Sequence, residues 1–158
     1  MTYSAAKLKA DIQTERAAIE ALVAILDQER EALAQGHTDR LTHIAASKRE
    51  LLLHVAHLGD QRSRVLEQSG MSADRSGMER WLQVHDQSGI AKPEWRALLI
   101  GTQQAEELNR RNGIYIDAGA RANQQALQAL LSACTAAGTY SAAGRAVNIP
   151  SSRSLASA

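Results

Sequence analysis

Leu8, Ile12, Glu15, Ile19, Leu22, Leu26, Glu29 and Leu33 follow one another at steps of four and three without a slip. Such spacing predicts a helix over about 4–35 with one apolar seam, interrupted by two glutamates. Gly36 stops this helix, and Thr38 or Asp39 can cap the next by accepting a backbone N–H. A second seam runs through Leu41, Ile44, Lys48, Leu51, Val55, Leu58, Arg62 and Val65, which predicts a helix over about 39–68. The short loop between the two makes them an antiparallel hairpin. Antiparallel register brings Glu29 near Lys48 and Glu15 near Arg62, and such pairs, if partly exposed, contribute about 0–1 kcal/mol each.

The periodicity breaks at "QSGMSADRSGM", a Ser/Gly connector. "MERWLQVHD" predicts a short amphipathic helix over about 78–86, with Trp81, Leu82 and Val84 packing down. After a second connector, "QSGIAKP", Pro93 suits the first turn of a long helix over about 94–137. Such a helix spans roughly 65 Å, against about 45 Å for each hairpin helix. Its far end therefore presents apolar surface that the hairpin does not reach, and surface of that kind marks binding sites. From residue 138 onward Ala, Ser and Gly dominate, Pro150 forbids a continuous helix, and a mobile tail is expected. The fold expected is all-α: an elongated antiparallel three-helix coiled-coil bundle (1–137) with a short extra helix in the second connector and a mobile C-terminal tail (138–158).

Within the long helix, "EELNRRNGIYIDAGARANQQAL" carries asparagines and glycines where a helix interior disfavours them. A heptad count places Asn109, Ile116, Asn123 and Leu130 in one row, and Asn112, Gly119, Ala126 and Ala133 in its neighbour. Both rows are expected on the inner face. Asparagine there fixes register by demanding an amide partner. Gly113 costs about 1 kcal/mol relative to Ala, so close packing or a local bend is the expected reason for it. Asn109, Asn112, Gly113, Ile116 and Gly119 thus either set register within the bundle or line a narrow groove for a partner helix. Asn123, Ala126, Leu127, Leu130, Leu131 and Cys134 form the wide apolar surface beyond them.

Composition narrows the function. There is no Phe, only two Trp and three Tyr, and a net charge of +1, so neither a sheet core nor a nucleic-acid footprint is indicated. No apolar run approaches the roughly 20 residues of a membrane span. Cys134 is the single cysteine, which excludes an internal disulfide and fits a reducing, cytoplasmic setting. His54 and His57 lie one turn apart with Asp60 beyond, but nothing completes a coordination shell, so no metal or other cofactor is expected. No phosphate loop, dinucleotide fingerprint or nucleophile elbow occurs, and no catalytic residue is assigned.

Several segments in order resemble the FlgN family, the flagellar type III export chaperones for hook–filament junction proteins. They are "SKRELLLHVAHLGDQR", Gly77-Met78-x-x-Trp81-Leu82, Trp95 opening the long helix, "LNRRNGIYI", "NQQALQALL" and Tyr140-Ser141-Ala142-Ala143-Gly144. The resemblance covers nearly the whole chain. It implies a cytoplasmic chaperone without enzymatic activity that binds the C-terminal amphipathic helix of hook-associated proteins and prevents their premature assembly. It also implies cargo binding at the end of the long helix and docking of Tyr140 and Gly144 to the export-gate protein FlhA. Thr139, Ser141 and Ala143 stand where the family's docking motif has Leu, Gly and Asp. The alternative reading of the same apolar surface is a structural coiled coil that buries it in a homodimer, a state open to the cargo-free chaperone as well.

Overall fold

The computed structural model describes residues 3–138, with side chains from Tyr3 to Ser132. The described residues are all-helical: α1 (Ala5–Gln35), α2 (Thr38–Gln68), α3 (Arg75–His85) and α4 (Lys92–Gly138). The chain divides into two compact units, Met1–Ile116 and Asp117–Ala158, with the division falling inside α4. The composition change expected at residue 138, and the tail after it, lie outside the described residues.

Each helix end in the first unit has a local cause. Ser4 caps α1 by accepting the Lys7 N–H on its Oγ. Gly36 ends it in the left-handed region (φ 69°), and the His37 N–H reaches back to the Ala32 carbonyl. The cap of α2 differs from expectation: His37 occupies the N-cap position and makes no side-chain cap bond, while Asp39 lies in the first turn, where the helix dipole favours it.

The hairpin register is the one the seams predict. Lys48 Nζ lies 3.0 Å from Glu29 Oε2, and Arg62 Nε lies 2.9 Å from Glu15 Oε2. The glutamates are more enclosed than expected, with side chains only 7% and 8% exposed. These are therefore largely buried pairs, whose value depends on both partners being present.

The first turns of α4 run alongside α1 in the same direction. Gln13 donates to Glu94, Arg16 pairs with Glu94 at 2.9 Å, Ile19 faces Gly101, and Asn112 reaches Leu26. A Cβ at Gly101 would sit 3.1 Å from the Ile19 side chain, so this glycine marks the close approach of the two helices.

The main core gathers Leu8, Ile12 and Ile19 of α1, Leu66 of α2, Met78, Trp81 and Leu82 of α3, and Ala91, Trp95 and Leu98 around the start of α4. The short helix thus plugs this end of the first unit. Trp81 is its anchor: the ring stands edge-on to Tyr3 with centroids 6.4 Å apart, and its indole N–H donates to Ser69 Oγ. Val84, expected to pack down, is 52% exposed; Met78 takes the buried position because residues 78, 81, 82 and 85 share a helical face. A smaller cluster of Leu22, Leu26 and Ala105 continues the core toward the hairpin turn.

Candidate functional site

Two carboxylates that the apolar pattern does not mark build the joint around α3. Asp74 caps its N-terminus, accepting the Gly77 N–H at 2.8 Å together with the hydroxyls of Ser72 and Ser76. Those hydrogen bonds, the Gly77 N–H foremost, hold its carboxyl at about 2, below its ordinary 3.8. The cap also explains why α3 begins at Arg75, three residues before the periodicity does. Gly77 itself has to be glycine, because a Cβ there would collide with the Ser72 carbonyl. Asp86, at the other end, is buried and accepts the N–H groups of Ile90, Ala91 and Lys92 at 2.9–3.1 Å. It holds the second connector and the start of α4 with one side chain. The signal for both was an Asp followed within four residues by Gly or Ser, the composition of Asx turns.

The buried positions Leu98, Ala105 and Asn112 of α4 recur every seven residues, in step with Ala91 just before the helix. This is the row that the heptad count extends to Gly119 and Ala126. Asn112 is fully buried, and its Nδ2 donates to the Leu26 carbonyl and to Glu29 Oε2, both at 2.8 Å. Two acceptors on the same atom fix the orientation of the amide, and its Oδ1 accepts nothing. Asn112 thereby joins the Lys48–Glu29 pair, so one polar cluster ties α1, α2 and α4.

The other members of the expected inner face lie differently. Asn109 is exposed, on the rim of a cavity of about 190 Å³ lined chiefly by Ile19, Leu22, Leu26, Leu52, Val55 and Ala105. Ile116 is 45% exposed and Gly119 is exposed. Among the described residues nothing lies within 4 Å of a Cβ added at Gly113 or Gly119, so close packing among them does not explain either glycine. Asn112 already reaches Leu26 and Glu29, in the last third of α1, which ends at Gln35.

In the second unit the cargo-binding candidates Asn123, Ala126, Leu127, Leu130 and Leu131 are all exposed helical residues. Leu127, Leu130 and Leu131 show 57%, 64% and 58% of their surface, which is high for three leucines within two turns. The Cys134 side chain, Tyr140 and Gly144 lie outside the described residues. Among the described residues no group of three or more His, Cys, Asp or Glu is placed to hold a metal ion. No described helix is long and apolar enough to cross a membrane.

The described residues are all helical, with three exposed leucines within two turns of α4. The FlgN family model matches residues 1–148, and the chain belongs to the FlgN family, whose role is that of a flagellar export chaperone. That family is one of chaperones and not of enzymes. No curated protein and no solved structure matches the chain.

Proposed function

We propose that this chaperone binds the C-terminal amphipathic helix of hook-associated proteins on the leucine face of α4, masks it before assembly, and hands it to the export gate. One observation carries the reading. Leu127, Leu130 and Leu131 stand exposed on one helix at spacings of three and four, the pattern of a helix-in-groove contact. Asn123 and Ala126 extend that face, and Cys134 continues it in sequence. Small and polar residues among the leucines limit the apolar area each turn offers, which suits a client that has to be released.

Under this reading the chaperone acts in the cytoplasm, where its cargo is made, and Tyr140 with Gly144 docks to FlhA. In this reading the three long helices act as a coiled coil, the hairpin, with its ion pairs between α1 and α2, serving as scaffold and α4 as working surface.

The test is calorimetric titration with a synthetic peptide from the C-terminal end of a hook-associated protein of the same organism, repeated with Leu130→Glu. Micromolar binding that the substitution removes is the expected result. No binding by the native chain, together with a tight dimer in sedimentation, transfers the leucine face to homodimerisation instead.

A further inference from the structure

A second surface lies in the first unit, away in sequence from the leucine face. Between α3 and the start of α4 is an open cleft of about 320 Å³ lined by Arg75, Glu79, Leu82, Lys92, Trp95, Arg96 and neighbouring residues. Its apolar part is Leu82, Trp95 and Leu99; its rim is cationic. Arg75 is already engaged by Glu79 at 2.9 Å. Lys92 and Arg96 are exposed, and among the described residues neither has an ion-pair partner.

A separate feature points the same way. Trp95 is 5% exposed, and its indole N–H has no acceptor. A buried donor left unpaired carries its full desolvation penalty. Trp81, the other tryptophan, has spent its N–H on Ser69. The Trp95 ring is also covered by the Arg62 guanidinium, 5.1 Å from its centroid, whose charge is already met by Glu15. Two cations without an ion-pair partner among the described residues and an apolar floor are together complementary to a carboxylate set beside a large aliphatic side chain.

We propose that the α3–α4 cleft docks an acidic, leucine-bearing segment of a partner protein, its carboxylates held by Lys92 and Arg96 and its aliphatic side chain seated against Leu82, Trp95 and Leu99. Entry of the segment packs its aliphatic side chain against Trp95, which lines the cleft. The cleft belongs to the first unit and the leucine face to the second.

The two indole N–H groups provide the measurement. The full chain, labelled with nitrogen-15, is titrated with a blocked peptide of alternating Glu and Leu while both indole resonances are followed. The Trp95 resonance is expected to move in proportion to occupancy, with Trp81, already bonded, as the stationary control. The double variant Lys92→Gln/Arg96→Gln, at two exposed positions, is expected to weaken the response about tenfold or more. A Gln-Leu peptide is expected to leave both resonances in place. The proposal is overturned if neither resonance moves, if the Gln-Leu peptide acts equally, or if the double variant responds like the native chain. It is also overturned if inorganic phosphate alone reproduces the Trp95 shift at the same concentration, since the cleft would then be a simple anion site.

Discussion

The Asn112 amide on α4 donates to the Glu29 carboxylate on α1 at 2.8 Å, and both groups are buried. Glu29 in turn holds Lys48 of α2, so the asparagine completes a three-helix polar contact. Replacing Asn112 with Ala removes both hydrogen bonds and leaves a small void, and a loss of about 1–3 kcal/mol in urea unfolding is expected. Asn112→Asp is expected to be worse at neutral pH, because it sets a second carboxylate against Glu29 where little water can screen it. Part of that extra loss is regained on acidification, as the introduced carboxyl takes up a proton.

The Glu15–Arg62 pair tests whether the hairpin depends on both of its charges. Arg62→Met leaves Glu15 buried without its partner and removes the cation over Trp95, so a loss of about 2–3 kcal/mol is expected. The double substitution Glu15→Leu with Arg62→Met is expected to recover most of it, because apolar pairs of similar volume replace buried ion pairs well. A double-mutant cycle by thermal or urea unfolding measures the coupling. Additive losses would show the pair to be screened and unimportant.

Gly113 offers the opposite sign. No atom lies within 4 Å of a Cβ at this position, so Gly113→Ala is expected to raise stability by about 1 kcal/mol. The same variant separates the two readings of this glycine. If it is kept for close approach of a partner helix, cargo affinity falls as stability rises; unchanged affinity removes Gly113 from the binding surface.

Asp74 gives a pH dependence with a defined direction. Its carboxyl is held at about 2, below the ordinary 3.8 that it regains on unfolding, by the Gly77 N–H and two serine hydroxyls. A lowered folded-state value means stability fully present above about pH 4 and lost as the pH falls toward 2. The stability difference between the native chain and Asp74→Ala is therefore expected to be largest near neutrality and to shrink across that window. Circular dichroism-monitored urea unfolding at several pH values reads it. A difference constant from neutrality to pH 2 would show that the cap acts without its charge.

The hairpin was legible because its signal is redundant. Eight seam positions on each helix agree in spacing, and the charged members of one seam match those of the other in sign and in register. The inner row of α4 was legible only as far as Asn112, since a heptad count extends a row without regard to where the covering helix, stopped at Gly36, comes to an end. The caps at Asp74 and Asp86 were missed for a different reason. Hydrophobic periodicity locates faces and is silent about which polar side chain will satisfy the free N–H groups between them. The unpaired indole of Trp95 has no sequence signal at all: two tryptophans look alike in the chain, and only the position of Ser69 separates them.

One side chain, Asp86, accepts from Ile90, Ala91 and Lys92 in succession. The bend between α3 and α4 is therefore set by the reach of a single carboxylate and not by the length of the connector. Graft junctions or inserted residues belong elsewhere than between positions 86 and 90, where even one added residue would break the count of bonds to that carboxylate. A designer who wished to swing α4 to a new direction would begin with this joint, and would have to rebuild all three of its acceptor contacts together.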